Sequence, residues 1–443
     1  MNSQDTKLIN GVIWKQLLVF FVPILIGTFF QQLYNTVDTI IVGQYLKTTA
    51  LAAVGSTGNL TNLVVNFFVG LSSGATVVIA QYFGSDNHQG VFKAVHTSFA
   101  LSLVCGLLMS LFGCLFAYQS LDLLGVPKNI LGDAALYMQI YFLGMIPSVI
   151  YNMGAGILRA VGDSKTPLYY LVVCTIINVV FDFVFIAYLN IGIAGAALAT
   201  IIAQFVSAVL VVRKLIKATE SYQLVIRKIA FDYPILKRII KIGIPAGLQS
   251  TMYSISNLLL QTKINLFDTN TIAAWAVYIK IDALFWMVSG AFGSSITTFV
   301  GQNYGAGMHQ RIKKGIKTSL AMFFSAAILL SCLLSLFASQ VSSLFSSDPS
   351  LITNCNEIIH FLTPFYFTYC IVEILSGTMR GCGDSFKPML LVCGGICLFR
   401  VVWVLFVTLT TFKMIIVSYP ISWALTSLLF VLYYFRFKKV YLH

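Results

Sequence analysis

The chain has 443 residues, of which 58% are apolar and only 10% are charged. A soluble domain carries about 25% charged residues, so this composition excludes an ordinary soluble protein and indicates a membrane protein. The net charge of +13 would suggest a nucleic-acid partner in a soluble protein, but here it favours basic residues that flank membrane helices on the cytoplasmic side.

The apolar runs predict an all-α membrane protein with twelve transmembrane helices, because each run is long enough to cross a hydrocarbon core of about 30 Å. In chain order, the predicted spans cover residues 15–45, 50–83, 93–118, 130–158, 167–189, 192–216, 235–265, 270–303, 315–338, 353–379, 388–411 and 414–436.

The distribution of basic residues predicts how these spans are oriented. If the N-terminus is cytoplasmic, 22 of the 28 Lys and Arg residues fall on inner segments, four fall on outer loops and two lie within spans. Such an imbalance is typical of the positive-inside rule. We therefore expect a multi-pass protein of the cell (inner) membrane, with both termini in the cytoplasm.

One polar connection divides the twelve spans into two sets of six. It joins the sixth and seventh spans on the inner side, over residues 217–234. We expect an N-terminal six-helix lobe at 1–216, a cytoplasmic linker at 217–234 and a C-terminal six-helix lobe at 235–443. Because each lobe has an even number of spans, the two lobes are expected to run parallel around a central cavity.

The two halves carry related motifs. GILRAVGDSKTP at 156–167 corresponds to GTMRGCGDSFKP at 377–388, and AQYFGSDNHQ at 80–89 corresponds to GQNYGAGMHQ at 301–310. The offset in the numbering is the same for both motif pairs, namely 221. This pattern predicts an internal duplication. In the first motif pair, Asp163 and Asp384 are predicted to cap the helix that follows, which begins near a proline.

Four polar side chains of the N-terminal half fall at one predicted depth. Asp38, Asp182, Thr200 and Tyr137 each lie seven or eight residues from the outer end of their spans, or roughly 11–12 Å below the outer surface. Asn178 is one turn deeper than Asp182 on the same helix face. Paired carboxylates with nearby oxygens predict a small-cation site that suits Na⁺ or H⁺. The alternative is that Asp182 only bonds neighbouring helices.

The C-terminal half lacks these acids. At the offset of 221, Phe399 stands opposite Asn178 and Trp403 stands opposite Asp182. A second cation site in this half is therefore in doubt.

Other charged residues are predicted within spans of the C-terminal half, where burying a charge costs about 2.5–3.5 kcal/mol. They are Lys280, Asp282, Glu373 and Arg400. Glu373 and Arg400 lie on adjacent spans and are predicted to form a buried, structural pair. Asp282 and Glu373 are also candidates for contact with a transported substrate.

Together these features resemble the multidrug and toxic compound extrusion (MATE) family. The resemblance covers essentially the whole chain: twelve spans in two halves, RAVGDSKTP at 159–167 with its echo, GQNYGAG at 301–307, and VDTIIVGQ at 37–44. It implies secondary active multidrug efflux by antiport, in which amphipathic and often cationic drug-like compounds leave in exchange for H⁺ or Na⁺ by alternating access.

The resemblance also implies roles for individual residues. The family's first-span acid matches Asp38, its Asn-xxx-Asp in the fifth span matches Asn178 and Asp182, and its sixth-span threonine matches Thr200. Pro23 is a candidate hinge in the first span. The full set of candidate substrate residues is Gln31, Tyr34, Asn35, Asn152, Asp282 and Glu373.

Other functions fit less well. A flippase for lipid-linked oligosaccharides is the main alternative, but it would need several cations in its cavity, and only Lys280 and Arg400 are candidates. An enzyme is disfavoured because HExxH is absent and the histidines are scattered. The nine cysteines show no metal or disulfide spacing. We expect a monomer in the lipid bilayer, with no cofactor and no nucleic-acid partner.

Overall fold

A computed structural model of the protein describes residues 8–46, 48–407 and 411–442. Long helices account for most of these residues. In the N-terminal half they are α1 (Ile13–Tyr45), α2 (Thr48–Gly84), α3 (His88–Leu123), α4 (Lys128–Leu143 and Met145–Ala160), α5 (Lys165–Asp182, continuing as a π-helix over Phe183–Tyr188) and α6 (Ile193–Ile216).

The C-terminal half has six helices in the same order. They are α7 (Tyr233–Ile264), α8 (Thr269–Gly305), α9 (His309–Leu336), α10 (Pro349–Leu362, a 3-10 turn at Thr363–Phe365, and Tyr366–Gly381), α11 (Phe386–Val392, a π-helix at Cys393–Leu398, and Phe399–Phe406) and α12 (Phe412–Ile416 and Ser418–Tyr441).

Every predicted span coincides with one of these helices, which confirms the twelve-helix fold. Ten helices are individually long and apolar enough to cross a membrane, and the two segments of α4, bent by 47° at Gly144, add an eleventh. Pro147 lies next to this bend and lacks the N–H that would bond to Leu143. The remaining helix is α7. It has 32 residues but carries Lys237, Arg238 and other charges near its start, so it is less apolar than the other eleven.

Several helices extend beyond the predicted spans, because their polar ends continue past the apolar run. α3, for example, begins at His88 rather than near residue 93, after the side chain of Asn87 accepts a hydrogen bond from the backbone of Gly90 at 2.8 Å. Hydrophobic runs predict where a helix crosses hydrocarbon, whereas caps decide where the helix begins.

The described chain forms two compact units that do not follow the halves strictly. The first unit contains Val22–Gly247, and the second contains Leu8–Phe21 and Leu248–His443. The start of α1 thus belongs to the second unit and the start of α7 belongs to the first. In each helix the change of unit lies within three residues of a proline, Pro23 in α1 and Pro245 in α7.

The same helix contact recurs in both units. A Cβ atom added to Gly156 would lie 2.7 Å from Oγ1 of Thr76, and one added to Gly377 would lie 3.0 Å from Oγ1 of Thr297. The two pairs occupy equivalent positions of the duplicated sequence, at the offset of 221 that relates the motifs. Helices approach this closely only where the side chain is a hydrogen atom, so the duplication has kept the packing of these helices.

The linker between the halves is ordered and packs on α3. The backbone N–H of Val225 donates to Nε2 of His96 at 3.0 Å, and the N–H of Asp232 donates to the hydroxyl of Thr97 at 3.0 Å. Lys93 completes the contact with an ion pair to Asp232 at 3.1 Å.

The turns that precede α5 and α11 confirm the predicted caps. Asp163 accepts from the backbone of Thr166 at 2.9 Å and from its hydroxyl at 2.6 Å, and Asp384 accepts from the backbone of Lys387 at 3.2 Å. Both carboxylates satisfy N–H groups in the first turn of a helix.

A backbone contact between α2 and α7 generates a stability prediction. Gly70 faces Gly247 so closely that a Cβ on Gly70 would lie 2.5 Å from the Cα of Gly247. Because backbone cannot swing aside, Gly70→Val should lower the free energy of unfolding by about 1–3 kcal/mol, measured by thermal unfolding in detergent.

Gly58 supplies the matched control on the same helix. No atom lies within 4 Å of a Cβ at this position, so Gly58→Val should leave the unfolding midpoint nearly unchanged. Equal effects of the two substitutions would contradict the close packing of α2 on α7.

Candidate functional site

Two carboxyl groups face each other inside the first unit. Asp38 of α1 and Asp182 of α5 lie within hydrogen-bonding reach of one another, and their side chains are only 8% and 0% exposed. Within the described residues, Oδ1 of Asp38 and both carboxylate oxygens of Asp182 have no hydrogen-bond donor. Two ionised carboxylates can only accept hydrogen bonds, so this pair requires a proton or another cation to be stable.

The other residues predicted for the coupling site surround this pair. Asn178 is fully buried, and its amide donates to the hydroxyl of Thr200 at 3.5 Å. The carbonyl oxygen of Asn178 has no donor among the described residues. Tyr137 lies within electrostatic range of both acids. The structure therefore brings together all five side chains that the sequence could place only by depth.

A polar cavity of about 180 Å³ opens beside this cluster within the first unit. Fourteen of its 22 lining residues are polar or charged. The predicted residues that line it are Pro23, Gln31, Tyr34, Asn35, Asn152 and Thr200. Thr200 thus lies on the cavity wall and also bonds Asn178, so the cavity shares a side chain with the cluster around the acid pair.

Comparison with known proteins identifies the family. A family model described as MatE matches residues 23–184 and again residues 245–406, so both halves match the same model. The chain belongs to the MatE family. This result confirms the resemblance and the duplication that the motifs predicted, and it makes the chain a member of a family of multidrug efflux transporters.

Individual relatives agree with this assignment. The chain is 28% identical over 383 residues to the probable multidrug resistance protein YoeA of Bacillus subtilis, covering 85% of this chain and 83% of YoeA. It is 27% identical over 358 residues to an FAD transporter of Shewanella oneidensis, covering 78% and 77% of the two chains. The fold is similar to a MOP superfamily transporter from Pyrococcus furiosus, with 23% identity, a TM-score of 0.90, and coverage of 97% and 96%.

In the second unit of this MatE protein, Asp282 is held by three neutral donors. It accepts from the hydroxyl of Tyr366 at 2.6 Å, from the indole of Trp286 at 2.6 Å and from the hydroxyl of Tyr278 at 3.1 Å. The ring of Tyr366 also stacks on Phe285 with centroids 4.1 Å apart. Unlike the acids of the first unit, this carboxylate has its hydrogen bonds satisfied.

The predicted pair between Glu373 and Arg400 is wrong. Glu373 accepts from the hydroxyl of Tyr369 at 3.4 Å, whereas Arg400 is fully buried and donates to Ser422 at 3.0 Å and Asn257 at 3.1 Å. Adjacency of two spans does not fix which faces meet.

Aromatic rings complete the surroundings of Arg400. Its guanidinium carbon lies 4.0 Å from the centroid of Tyr419, 5.5 Å from that of Tyr253 and 5.9 Å from that of Trp423. Ring faces stabilise a cation by their quadrupoles, and the carboxylate within electrostatic range of Arg400 is that of Asp282 rather than that of Glu373.

Arg400, rather than Phe399, occupies the position equivalent to Asn178. Asn178 bonds Thr200, and Arg400 bonds Ser422. The motif offset of 221 predicts positions 399 and 421 for this second pair, so Arg400 and Ser422 each stand one position later. The π-helix at Cys393–Leu398 lies before Arg400 and accommodates one extra residue within the helix. The predicted register was therefore wrong by one residue, and Val404 rather than Trp403 corresponds to Asp182.

Nine of the fourteen polar or charged residues that line the cavity were not predicted from the sequence, and Tyr141 and Gln204 are two of them. The side chains of Tyr141 and Gln204 hydrogen-bond to each other, and both line the cavity. Tyr141 follows Tyr137 by four residues and Gln204 follows Thr200 by four. The helical period therefore places each on the same face as a residue already predicted, and this signal could have found them.

The environment of Arg400 predicts that lysine cannot replace it. Arg400→Lys keeps the charge but loses the planar contact with Tyr419 and one of the two hydrogen bonds. We expect a loss of about 1–3 kcal/mol in the free energy of unfolding, measured by thermal denaturation of the purified protein.

Arg436 provides the matched control because it is exposed near the end of α12. Arg436→Lys should change stability by less than about 0.5 kcal/mol. If both arginine-to-lysine substitutions had the same effect, the contacts of Arg400 would contribute nothing to stability.

Proposed function

We propose that this chain is a cation-coupled antiporter that exports amphipathic, often cationic, drug-like compounds in exchange for H⁺ or Na⁺ by alternating access. The observation that carries this proposal is the pair of facing carboxyl groups, Asp38 and Asp182, beside a polar cavity. Membership of a family of multidrug efflux transporters supports the same function.

The acid pair is suited to exchange one cation for another. A buried pair of carboxylates is stable only when a proton or metal cation offsets their repulsion. The oxygens of Asn178 and Thr200 add neutral ligands of the kind that Na⁺ prefers. When the coupling cation leaves, the pair regains a negative charge that attracts a cationic substrate to the adjoining cavity.

The proposed coupling direction follows from the same electrostatics. Binding of the coupling cation at Asp38 and Asp182 neutralises the pair and weakens its attraction for a positively charged substrate. Tyr34 lies close to Asp38 and also lines the cavity, so the two cations compete over a short distance. We propose that Pro23, which lies inside α1 and on the cavity wall, is the hinge that responds to this change.

The membrane placement is part of the proposal. The basic residues of the chain favour the inner membrane, with both termini in the cytoplasm. Two of the counted lysines, Lys7 and Lys47, lie outside the described residues. We propose that the protein functions as a monomer.

A lipid-linked oligosaccharide flippase remains the weaker candidate. A pyrophosphate group would need several cations in one cavity, and the described residues contribute one to the cavity of the first unit, Arg159. The acid pair beside this cavity would repel such a group.

Substitution of either acid tests the coupling site. Asp38→Asn or Asp182→Asn removes the charge that the coupling cation offsets, so gradient-driven export from proteoliposomes should fall to background. Asp133→Asn alters an exposed acid at the start of α4 and should export like the unchanged protein. Full export by either cluster variant would exclude the proposed role of the pair.

Separate gradients identify the coupling cation. Vesicles loaded with ethidium are exposed to an inward H⁺ gradient or an inward Na⁺ gradient, and one of them should accelerate ethidium efflux. If Na⁺ is the cation, Thr200→Val removes a ligand oxygen and should raise the Na⁺ concentration for half-maximal efflux. If H⁺ is the cation, the Asp variants but not Thr200→Val should abolish the response. Efflux that ignores both gradients would refute antiport.

A further inference from the structure

Among the described residues, one cation lines the cavity of the first unit. Arg159 lies in the last turn of α4, and its side chain is part of the cavity wall. Within the described residues, no hydrogen bond or ion pair of its guanidinium group is found. A guanidinium group has five N–H donors in a planar fork, so Arg159 brings unused donors to the cavity wall.

The second unit shows how the duplicated arginine is compensated there. Arg380, the counterpart of Arg159 in the repeated motif, lies within electrostatic range of Glu373 and donates to Ser376 at 3.4 Å. Glu373 precedes Arg380 by seven residues, two turns away on the same helix face. The position equivalent to Glu373 in the first unit is Asn152, which also lines the cavity. The N-terminal half has therefore kept the arginine without its acid.

The cavity consequently has opposite charges near its two ends. Helix α5 contributes Pro167, Leu171 and Cys174 to the wall, and the same helix face continues to Asn178 and Asp182. At 1.5 Å per residue, the path from Pro167 to Asn178 is roughly 16 Å long.

Arg159 lies near Pro167, at one end of this path. Tyr151 links the two residues, since it lies within electrostatic range of Arg159 and donates to the carbonyl of Pro167 at 3.1 Å. The acid pair lies beyond the other end.

We propose that Arg159 binds a carboxylate of the transported substrate, so that this cavity selects zwitterionic compounds over their purely cationic analogues. A planar guanidinium fork matches a carboxylate with two parallel hydrogen bonds. The amine of such a substrate points towards Asp38 and Asp182. The inference rests on the proposed function of the chain as an exporter and adds the chemical class of its substrate.

The test uses two fluorescent probes with one scaffold. Rhodamine 110 has a free carboxylate, and rhodamine 123 is its methyl ester. Binding of each to the purified full-length protein is measured by fluorescence anisotropy in detergent. The unchanged protein should bind rhodamine 110 about tenfold or more tightly than rhodamine 123, as a charge-assisted bond to a carboxylate implies. Equal affinities would overturn the proposal.

Variants then assign the preference to Arg159. Arg159→Gln should remove the preference, whereas Arg159→Lys, which keeps the charge, should retain part of it. Asn152→Glu restores the acid found in the second unit and should remove the preference with Arg159 intact, which keeps the test valid if Arg159→Gln fails to fold. A preference that survives both Arg159→Gln and Asn152→Glu would also overturn the proposal.

Lys165 is the matched control for loss of a positive charge. It is exposed at the start of α5 and does not line the cavity, so Lys165→Gln should leave the ratio of the two affinities unchanged. Gradient-driven efflux of rhodamine 123 tests the exporter function independently of Arg159. An exporter without a carboxylate preference would contradict only this inference, whereas a protein that moves neither probe would contradict the proposed function.

Discussion

Two carboxyl groups cannot both be ionised at close range inside a membrane unless a cation lies with them. Asp38 and Asp182 meet in this way, with oxygens that lack hydrogen-bond donors within the described chain. Asp282 shows the contrasting solution, because three neutral donors satisfy its carboxylate without any mobile partner. An acid whose hydrogen bonds the protein itself supplies needs no further partner, whereas the acid pair of the first unit leaves its acceptors open to a cation. This difference is why the candidate site lies in the first unit.

The duplication preserved packing and changed charge. Thr76 with Gly156, and Thr297 with Gly377, make the same close helix contact in each unit. At the position of Asn178, however, the second unit has Arg400, whose fixed charge rests on hydroxyl, amide and aromatic groups. A permanent guanidinium at this position repels a mobile cation. Close helix packing tolerates only the smallest side chains. The residues at these contacts are therefore more strongly constrained than the charged residues that line the interior.

Much of the fold could be predicted because the bilayer imposes a length on every apolar run, and all twelve spans coincide with helices. The depth of a residue in the membrane could be predicted as well, because each helical residue adds the same rise. The predicted depths placed Asp38, Asp182 and Thr200 at one level. Two features could not be predicted from one sequence: the rotation of each helix about its axis, and the register between the two halves. The π-helix at Cys393–Leu398 shifted the equivalence of Arg400 by one residue, and facing side chains decided that Glu373 bonds Tyr369. Neither effect changes hydropathy.

The charges around the cavity suggest how the coupling cation alters the affinity for substrate directly, in addition to the movement proposed at Pro23. On the proposed function, the coupling cation neutralises Asp38 and Asp182 and leaves Arg159 as the one charge of the described cavity wall. A zwitterionic substrate that was held at both ends is then held at one, because its amine loses an attractive partner while its carboxylate keeps Arg159. A coupling ion changes substrate affinity only by its differential effect on the bound states. The separation of acid and guanidinium along α5 supplies such a difference, since the ion acts on one end of the substrate alone.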